Sequence, residues 1–345
     1  MPSTALVSLI ASFQEIDVFP ITPTLADIDE RGLFIVQDDR LMETVLPLYS
    51  FHKNALQERP RGHGTTFRID PWSRCATAYH VIEDIVALDN DNNIGIHPER
   101  RLVTLELPLS YGVTQVPSAA WQPLSGLYSI VGMERRPLQL PQTRNACELA
   151  VMRLRPGGQI TNKAPYLPVK LNDWFPKVGD QVMAFGFADL DEDALKEGDE
   201  RPIEQRLYGS SGKIVQVERA DGASGRPWPK IWVEATWPRG MSGGPVFNED
   251  GHVIGLVSSG MEGDTVSCAT FFSGWDIPSR IFGSLDPINP GRFIAIGVFD
   301  EEKELVAVSQ DVEEAKAFAA SRGLEMGYIS FEPKSQEWMS YNMNG

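Results

Sequence analysis

A chain of 345 residues, 42% of them apolar, is long enough to build two or three packed units with ordinary hydrophobic cores. Its formal charge of −16, with no cluster of Lys and Arg, excludes nucleic acid and anionic membranes as expected partners, because phosphate binding draws its affinity from grouped cations. No apolar run approaches the roughly 18 residues that a membrane-spanning helix needs, so no such segment is expected.

In chain order, residues 1–50 read as an extension laid over the core. The opening MPSTALVSLIASFQEID has no basic residue before its short apolar run, and Gln14, Glu15 and Asp17 interrupt it, so no secretory signal is expected. Pro20, Pro23 and the acidic stretch 27–30 follow. Residues 51–287 carry strand-sized segments bounded by turn residues: Val103, Leu105 and Leu107 alternating with Thr104 and Glu106, then QVMAFGF, GKIVQV, KIWVEA and HVIGLVSSG. That spacing predicts a mainly β chain built on a sandwich or barrel core. LNDWFPKVGD, residues 171–180, breaks the pattern and sets an internal boundary near 175. After INPG, residues 288–345 change style and read as a small α+β module. FIAIGVF, ELVAVS and GYISF are its strands, and residues 311–322 its helix. Asp311 and Glu314 form a capping box there, Val312, Ala315, Phe318 and Ala319 an apolar face, and Gly323 the C-cap. Cys75, Cys147 and Cys268 are an odd number at wide spacings, which fits reduced thiols in the cytoplasm rather than a disulfide framework.

Chemistry concentrates in RGMSGGPVFNEDGHVIGLVSSG, residues 239–260. A serine hydroxyl is a poor nucleophile until a base takes its proton and preorganised donors receive the developing oxyanion. Gly240 lets the backbone turn so that the amides of Gly240 and Ser242 point at one spot, Gly243 and Gly244 leave room for a substrate chain, and Asp250-Gly251 marks a hairpin tip. A second segment, GHGTTFRIDPWSRCATAYHVIED, places His80 at the end of a strand on a short helical turn, where its ring can face a cleft from a fixed backbone, as a general base requires.

Together, ATAYH and GMSGGPV resemble the chymotrypsin/trypsin-like serine peptidase superfamily, in particular its bacterial members with TAxH and GxSGGP signatures. The likeness covers roughly residues 60–280. It implies two six-stranded antiparallel β-barrels with the active site in the cleft between them, and hydrolysis of peptide bonds through an acyl-enzyme. It also implies His80 as base, Ser242 as nucleophile and the amides of Gly240 and Ser242 as oxyanion hole. The third triad position, an Asp opening D-[IL]-A-[VL]-[LM] in the family, falls on Glu148 in CELAVMRL. A longer carboxylate can still hold the imidazole tautomer, so reach is the question. A solvent-facing Glu148 is the alternative. By the same likeness Ser258, Ser259 and Gly260 pair with the substrate backbone, and Thr236 and Trp237 form the base and wall of the primary specificity pocket. With no acid there, a small or apolar residue is expected before the cleaved bond.

Other signals are weaker. DLDEDALKEGDE mimics a calcium loop, but Ala194 stands where the turn needs glycine. His52, His63, His97 and His252 form no close ligand pair, so no metal is expected, and no small-molecule cofactor is called for. The expected partner is a protein or peptide substrate, with a protein partner for the C-terminal module. The competing class is an inactive, peptidase-like binding module.

Overall fold

The computed structural model describes residues 7–8, 27–54, 60–88, 94–106, 118–134, 142–154, 165–190, 205–220, 227–260, 265–286, 288–289, 291–310 and 312–341. The chain is mainly β, with two six-stranded antiparallel barrels and a small C-terminal β-rich module.

The first stretch holds two short strands, β1 (Val7–Ser8) and β2 (Phe34–Ile35), and the helix α1 (Asp39–Thr44). Asp29 organises the approach to β2: its carboxylate accepts from the amides of Arg31 (2.9 Å) and Leu33 (2.8 Å), and Gly32 takes the left-handed conformation at φ +80°. Asp38 caps α1 by accepting from the amides of Arg40 and Leu41.

The first barrel closes in the order β10-β5-β4-β3-β8-β9. Its strands are β3 (Val45–His52), β4 (Arg61–Arg68), β5 (Arg74–Ala78), β8 (Arg100–Leu105), β9 (Trp121–Glu134) and β10 (Gln142–Leu154), with the one-turn helix α2 (Tyr79–Ile82) and the hairpin β6 (Val86–Leu88) and β7 (Ile94–Ile96) between β5 and β8. β3 starts at Val45, so this barrel takes its first strand from both sides of position 50. Val103, Leu105 and the intervening Thr104 are all buried. At the β4–β5 corner the buried Asp70 accepts from the amides of Trp72 and Arg74 and pairs with the Arg74 guanidinium at 2.6 Å, which fixes the turn before β5.

The second barrel runs β11-β14-β15-β16-β13-β12 and closes through β11–β12 pairing. It comprises β11 (Gln181–Phe187), β12 (Leu207–Glu218), β13 (Lys230–Glu234), β14 (Pro245–Phe247), β15 (Val253–Gly260) and β16 (Ser267–Phe271). β2 adds to β12 outside the ring, Phe34 opposite Gly209 and Ile35 opposite Tyr208. A Cβ at Gly209 would stand 2.2 Å from the Phe34 ring, so glycine makes room for that aromatic. Residues 171–180 lie between β10 and β11.

After α3 (Ile277–Phe282), the C-terminal sheet orders β1-β18-β17-β19-β20, from β17 (Phe293–Phe299), β18 (Leu305–Ser309), β19 (Glu325–Glu332) and β20 (Glu337–Ser340). One face joins the first barrel's core, with Phe293 stacked edgewise on Trp72 and Tyr166. The helix α4 (Val312–Arg322) packs Ala315 and Ala319 on Ile296 and Val298 of the other face. Gly323 ends it at φ +67°, and the Leu324 amide donates to Ala319 O, a Schellman closure. Val312, expected on the buried face, is 43% exposed because it begins the first turn beyond the sheet contact, and the Asp311–Glu314 capping box lies outside the described side chains.

His63 on β4 is buried, its Nε2 2.7 Å from Ser50 Oγ and its Nδ1 3.6 Å from Asp84. Burial, only partly offset by Asp84, pushes its pKa from 6.5 down to about 4. The unfolded chain therefore binds a proton that the folded chain refuses, so stability is full above pH 6.5 and falls as pH drops toward 4. His63 should account for a loss of about 2–3 kcal/mol between pH 7 and pH 4.5. Urea unfolding midpoints of wild type and His63→Gln across that range check this: the variant's dependence should be visibly shallower.

Candidate active site

His80 sits on α2, directly after β5, with its ring about one-third exposed. Its Nδ1 meets Oε1 of Glu148 in a short hydrogen bond. Glu148 belongs to β10, which pairs with β5 through Leu149 opposite Ala78, so the register itself brings the carboxylate beside the helical turn. The β9–β10 register shifts between Asn145 and Ala150, and Glu148 lies inside that irregularity, where a strand can re-aim a side chain. Glu148 is 1% exposed and so is not a solvent-facing strand residue.

The second barrel supplies another donor to the same carboxylate. Ser258 Oγ donates to Glu148 Oε1 at 3.1 Å. On β15, Val257 pairs with Ala269 and Ser259 with Cys268, so Ser258 is the unmatched residue of a bulge. It is fully buried. VSSG reads in sequence as a run that presents backbone to a substrate; the bulge that turns the middle hydroxyl inward leaves no local signal.

The Ser242 loop is determined by its hydrogen bonds. Arg239 O accepts from the Asp189 amide at 2.9 Å, and Met241 O accepts from the Gly244 amide at 2.9 Å. In a trans peptide the N–H points opposite to the C=O of the same unit. The amides of Gly240 and Ser242 therefore turn away from those partners, toward the outer side of the loop. The amides of Met241, Gly243 and Gly244 are all engaged, whereas those of Gly240 and Ser242 have no backbone acceptor among the described residues. Both residues are half-buried. Gly240 holds φ +91°, and a Cβ on it would stand 2.2 Å from Phe187 O, so no side chain fits.

Contacts across the barrels bring this loop to the histidine. The Thr65 amide donates to Ser242 O at 2.8 Å. Ser242 O and Val81 Cγ1 both lie within 3 Å of the point where a Cβ on Gly64 would stand, which sets Ser242 against the neighbour of His80. Gly243 packs so closely on the end of β5 that a Cβ would be 2.2 Å from Thr77 Oγ1 and 3.0 Å from the Ala78 amide. The Ser242 hydroxyl has no hydrogen-bond partner among the described residues. Such bonds are often long in ligand-free sites.

The remaining predicted residues fall as follows. Thr236 is half-buried six residues before Ser242, and Trp237 is buried in the second barrel's core with Met241. Ser259 and Gly260 close β15 opposite Cys268 and Ser267. β14 pairs only as far as Leu256, so the side of Ser258–Gly260 away from β16 has no strand beside it among the described residues. The calcium-like residues Asp191, Asp193, Ala194 and Glu200 lie outside the described residues. Thr65 and Asp189 hold the loop; in the sequence Thr65 reads only as a strand residue and Asp189 only as the first position of the calcium-like run, and no local spacing marks either for this role.

Gly243→Ala should cost at least about 3 kcal/mol, because the new methyl meets backbone at a left-handed position, φ +83°. A urea unfolding midpoint equal to that of wild type would contradict this packing.

A family model, the trypsin-like peptidase domain, matches residues 64–256, more than half of the chain. Among solved structures the chain is similar to a Glu endopeptidase in complex with MPD, at 12% identity, TM-score 0.43, and coverage of 72% of this chain and 94% of that one. It is similar to Deg5 at 15% identity, TM-score 0.39, covering 68% and 86%. An inactive form of the Rv3671c protease follows at 16% identity, TM-score 0.37, covering 67% and 84%. No curated protein matches the chain.

Proposed function

The chain belongs to the trypsin-like peptidase domain family, and from that premise we propose that it is an active serine endopeptidase whose catalytic residues are His80, Glu148 and Ser242. The observation that carries the reading is the pairing of two features. One is a buried carboxylate bonded to the imidazole; the other is a serine loop in which the Gly240 and Ser242 amides, the two that an oxyanion requires, have no backbone acceptor among the described residues.

The bond between His80 and Glu148 supports the following chemistry. Glu148 accepts from His80 Nδ1–H, which leaves Nε2 unprotonated and able to take the Ser242 proton. Ser242 Oγ then bonds to the substrate carbonyl carbon, and the carbonyl oxygen, now anionic, receives hydrogen bonds from the Gly240 and Ser242 amides. Nε2–H passes its proton to the leaving amine as the C–N bond breaks. Water, deprotonated by the same nitrogen, releases the acyl group and restores the hydroxyl. The open side of Ser258–Gly260 supports binding of an extended peptide as an added strand. Thr236 and Trp237 carry no charge at the base of the primary pocket, which favours a small or apolar residue before the cleaved bond.

The same reading assigns the peptidase unit to residues 51–287, flanked by the extension 1–50 and a module at 288–345 that serves a protein partner. Cys75, Cys147 and Cys268 are buried and form no disulfide among the described residues, and burial pushes the thiols of Cys75 and Cys147 up to about 12. We assign the chain to the cytoplasm, where an odd number of widely spaced cysteines fits reduced thiols.

A fluorophosphonate probe should label wild type at neutral pH and leave Ser242→Ala unlabelled. Folded wild type that resists labelling would favour the binding-module alternative, to which the unpartnered Ser242 hydroxyl also conforms. Glu148→Gln should lower kcat by about 10³–10⁴-fold through the wrong imidazole tautomer, with the fold intact by circular dichroism; undiminished turnover would remove Glu148 from the mechanism.

A further inference from the structure

Thr65 lies on β4, on the first barrel, and is fully buried. All three of its polar groups are committed, two of them to the second barrel. Its hydroxyl donates to Gly240 O at 2.7 Å and accepts from the Phe187 amide at 2.9 Å. Its amide donates to Ser242 O at 2.8 Å, and its carbonyl accepts from Thr77 Oγ1 at 2.7 Å. One side chain thus grips the carbonyl of Gly240 while its own backbone grips the carbonyl of Ser242. These two residues are the ones whose amides stay free.

The hydroxyl matters because of what Gly240 is. A residue with a Cβ meets steric walls on either side of its allowed conformations, but glycine passes between left- and right-handed regions at little cost. The Gly240 N–H belongs to the Arg239–Gly240 peptide, which shares the Gly240 Cα with the Gly240–Met241 peptide, and the freedom of glycine lets the two units turn against each other about that Cα unless both are held. The Arg239 carbonyl is held on one side by Asp189, and the Gly240 carbonyl on the other by Thr65. We propose that Thr65 is a positioning residue for the oxyanion hole, its hydroxyl fixing the Gly240–Met241 peptide and with it the Gly240 Cα about which the Gly240 amide would otherwise swing. The proposal rests on the peptidase reading above. Thr65 does not touch the substrate; it acts through Gly240.

The test compares wild type, Thr65→Ser, Thr65→Cys and Thr65→Val, using hydrolysis of a small p-nitrophenyl ester and inhibition by a boronate of the same acyl group. Losing an oxyanion donor costs about 10²–10³ in turnover, so Thr65→Val should lose about 100-fold in kcat with KM within about twofold, and boronate affinity should fall in parallel. Thr65→Ser, which restores the donor, should recover most of the loss, and Thr65→Cys, a weak donor, should fall between. If Thr65→Val does not fold, the Cys variant carries the same comparison. A merely structural role would lower the unfolding midpoint while leaving kcat of the folded enzyme and boronate affinity unchanged, and that result overturns the proposal. Wild type that neither turns over nor labels would instead sink the peptidase reading. Crystal structures of wild type and Thr65→Val then still decide this proposal: a swung Arg239–Gly240 peptide in the variant supports it, an unmoved one refutes it.

Discussion

A carboxylate taken out of water is costly unless donors surround it. Glu148, at 1% exposure, is placed in that position between two barrels. One donor comes from His80 on the first barrel and another from Ser258 on the second. Separating the barrels would strip the carboxylate of a partner, so the charge that orients the imidazole also penalises any shift of the cleft. Both contacts rely on strand irregularities, one in β10 around Glu148 and one in β15 at Ser258. In regular strands these side chains would follow the alternation of their neighbours.

The serine loop obeys the same logic in backbone form. Between Arg239 and Gly244 the carbonyls of Arg239, Gly240, Met241, Ser242 and Gly244 have partners from Asp189, Thr65, Gly244 and Val257. Buried backbone groups left unpaired are expensive, so the loop has few conformations that satisfy them all. The amides of Gly240 and Ser242 are left without a backbone acceptor among the described residues. Glycines permit the arrangement: Gly186 lets Met241 approach so closely that a Cβ would be 2.7 Å from its Cα, and Gly64 does the same for the Ser242 carbonyl.

What was readable in the sequence was local. QVMAFGF is β11 and FIAIGVF is β17, because turn residues bound each apolar run. The tip at Asp250-Gly251 forms as read, with Gly251 at φ +81°. The motifs around His80 and Ser242 were legible through residues adjacent to them, and Glu148 through the strand pattern that follows it. Contacts between distant residues were not legible. Thr65 meets Gly240, and Ser258 meets Glu148, across more than a hundred residues of chain, and neither partner's spacing encodes the other. The residues before β3 read ambiguously because their order comes from the second barrel, where Leu33 and Phe34 are buried, rather than from any periodicity of their own.

That attachment has a consequence for how the molecule is made. A ribosome releases Phe34 and Ile35 long before Tyr208 and Gly209, the residues they pair with, exist. Strands β3 to β10 emerge next and need nothing from the later chain to close their ring, while the preceding run waits for β12. Its docking can come only after β12 has been made, and the 2.7 Å ion pair between Arg31 and Asp189 only after residue 189. Asp189 also holds the Arg239 carbonyl through its backbone amide, so the leading segment and the serine loop are fastened to one residue that is made more than a hundred and fifty positions after Arg31.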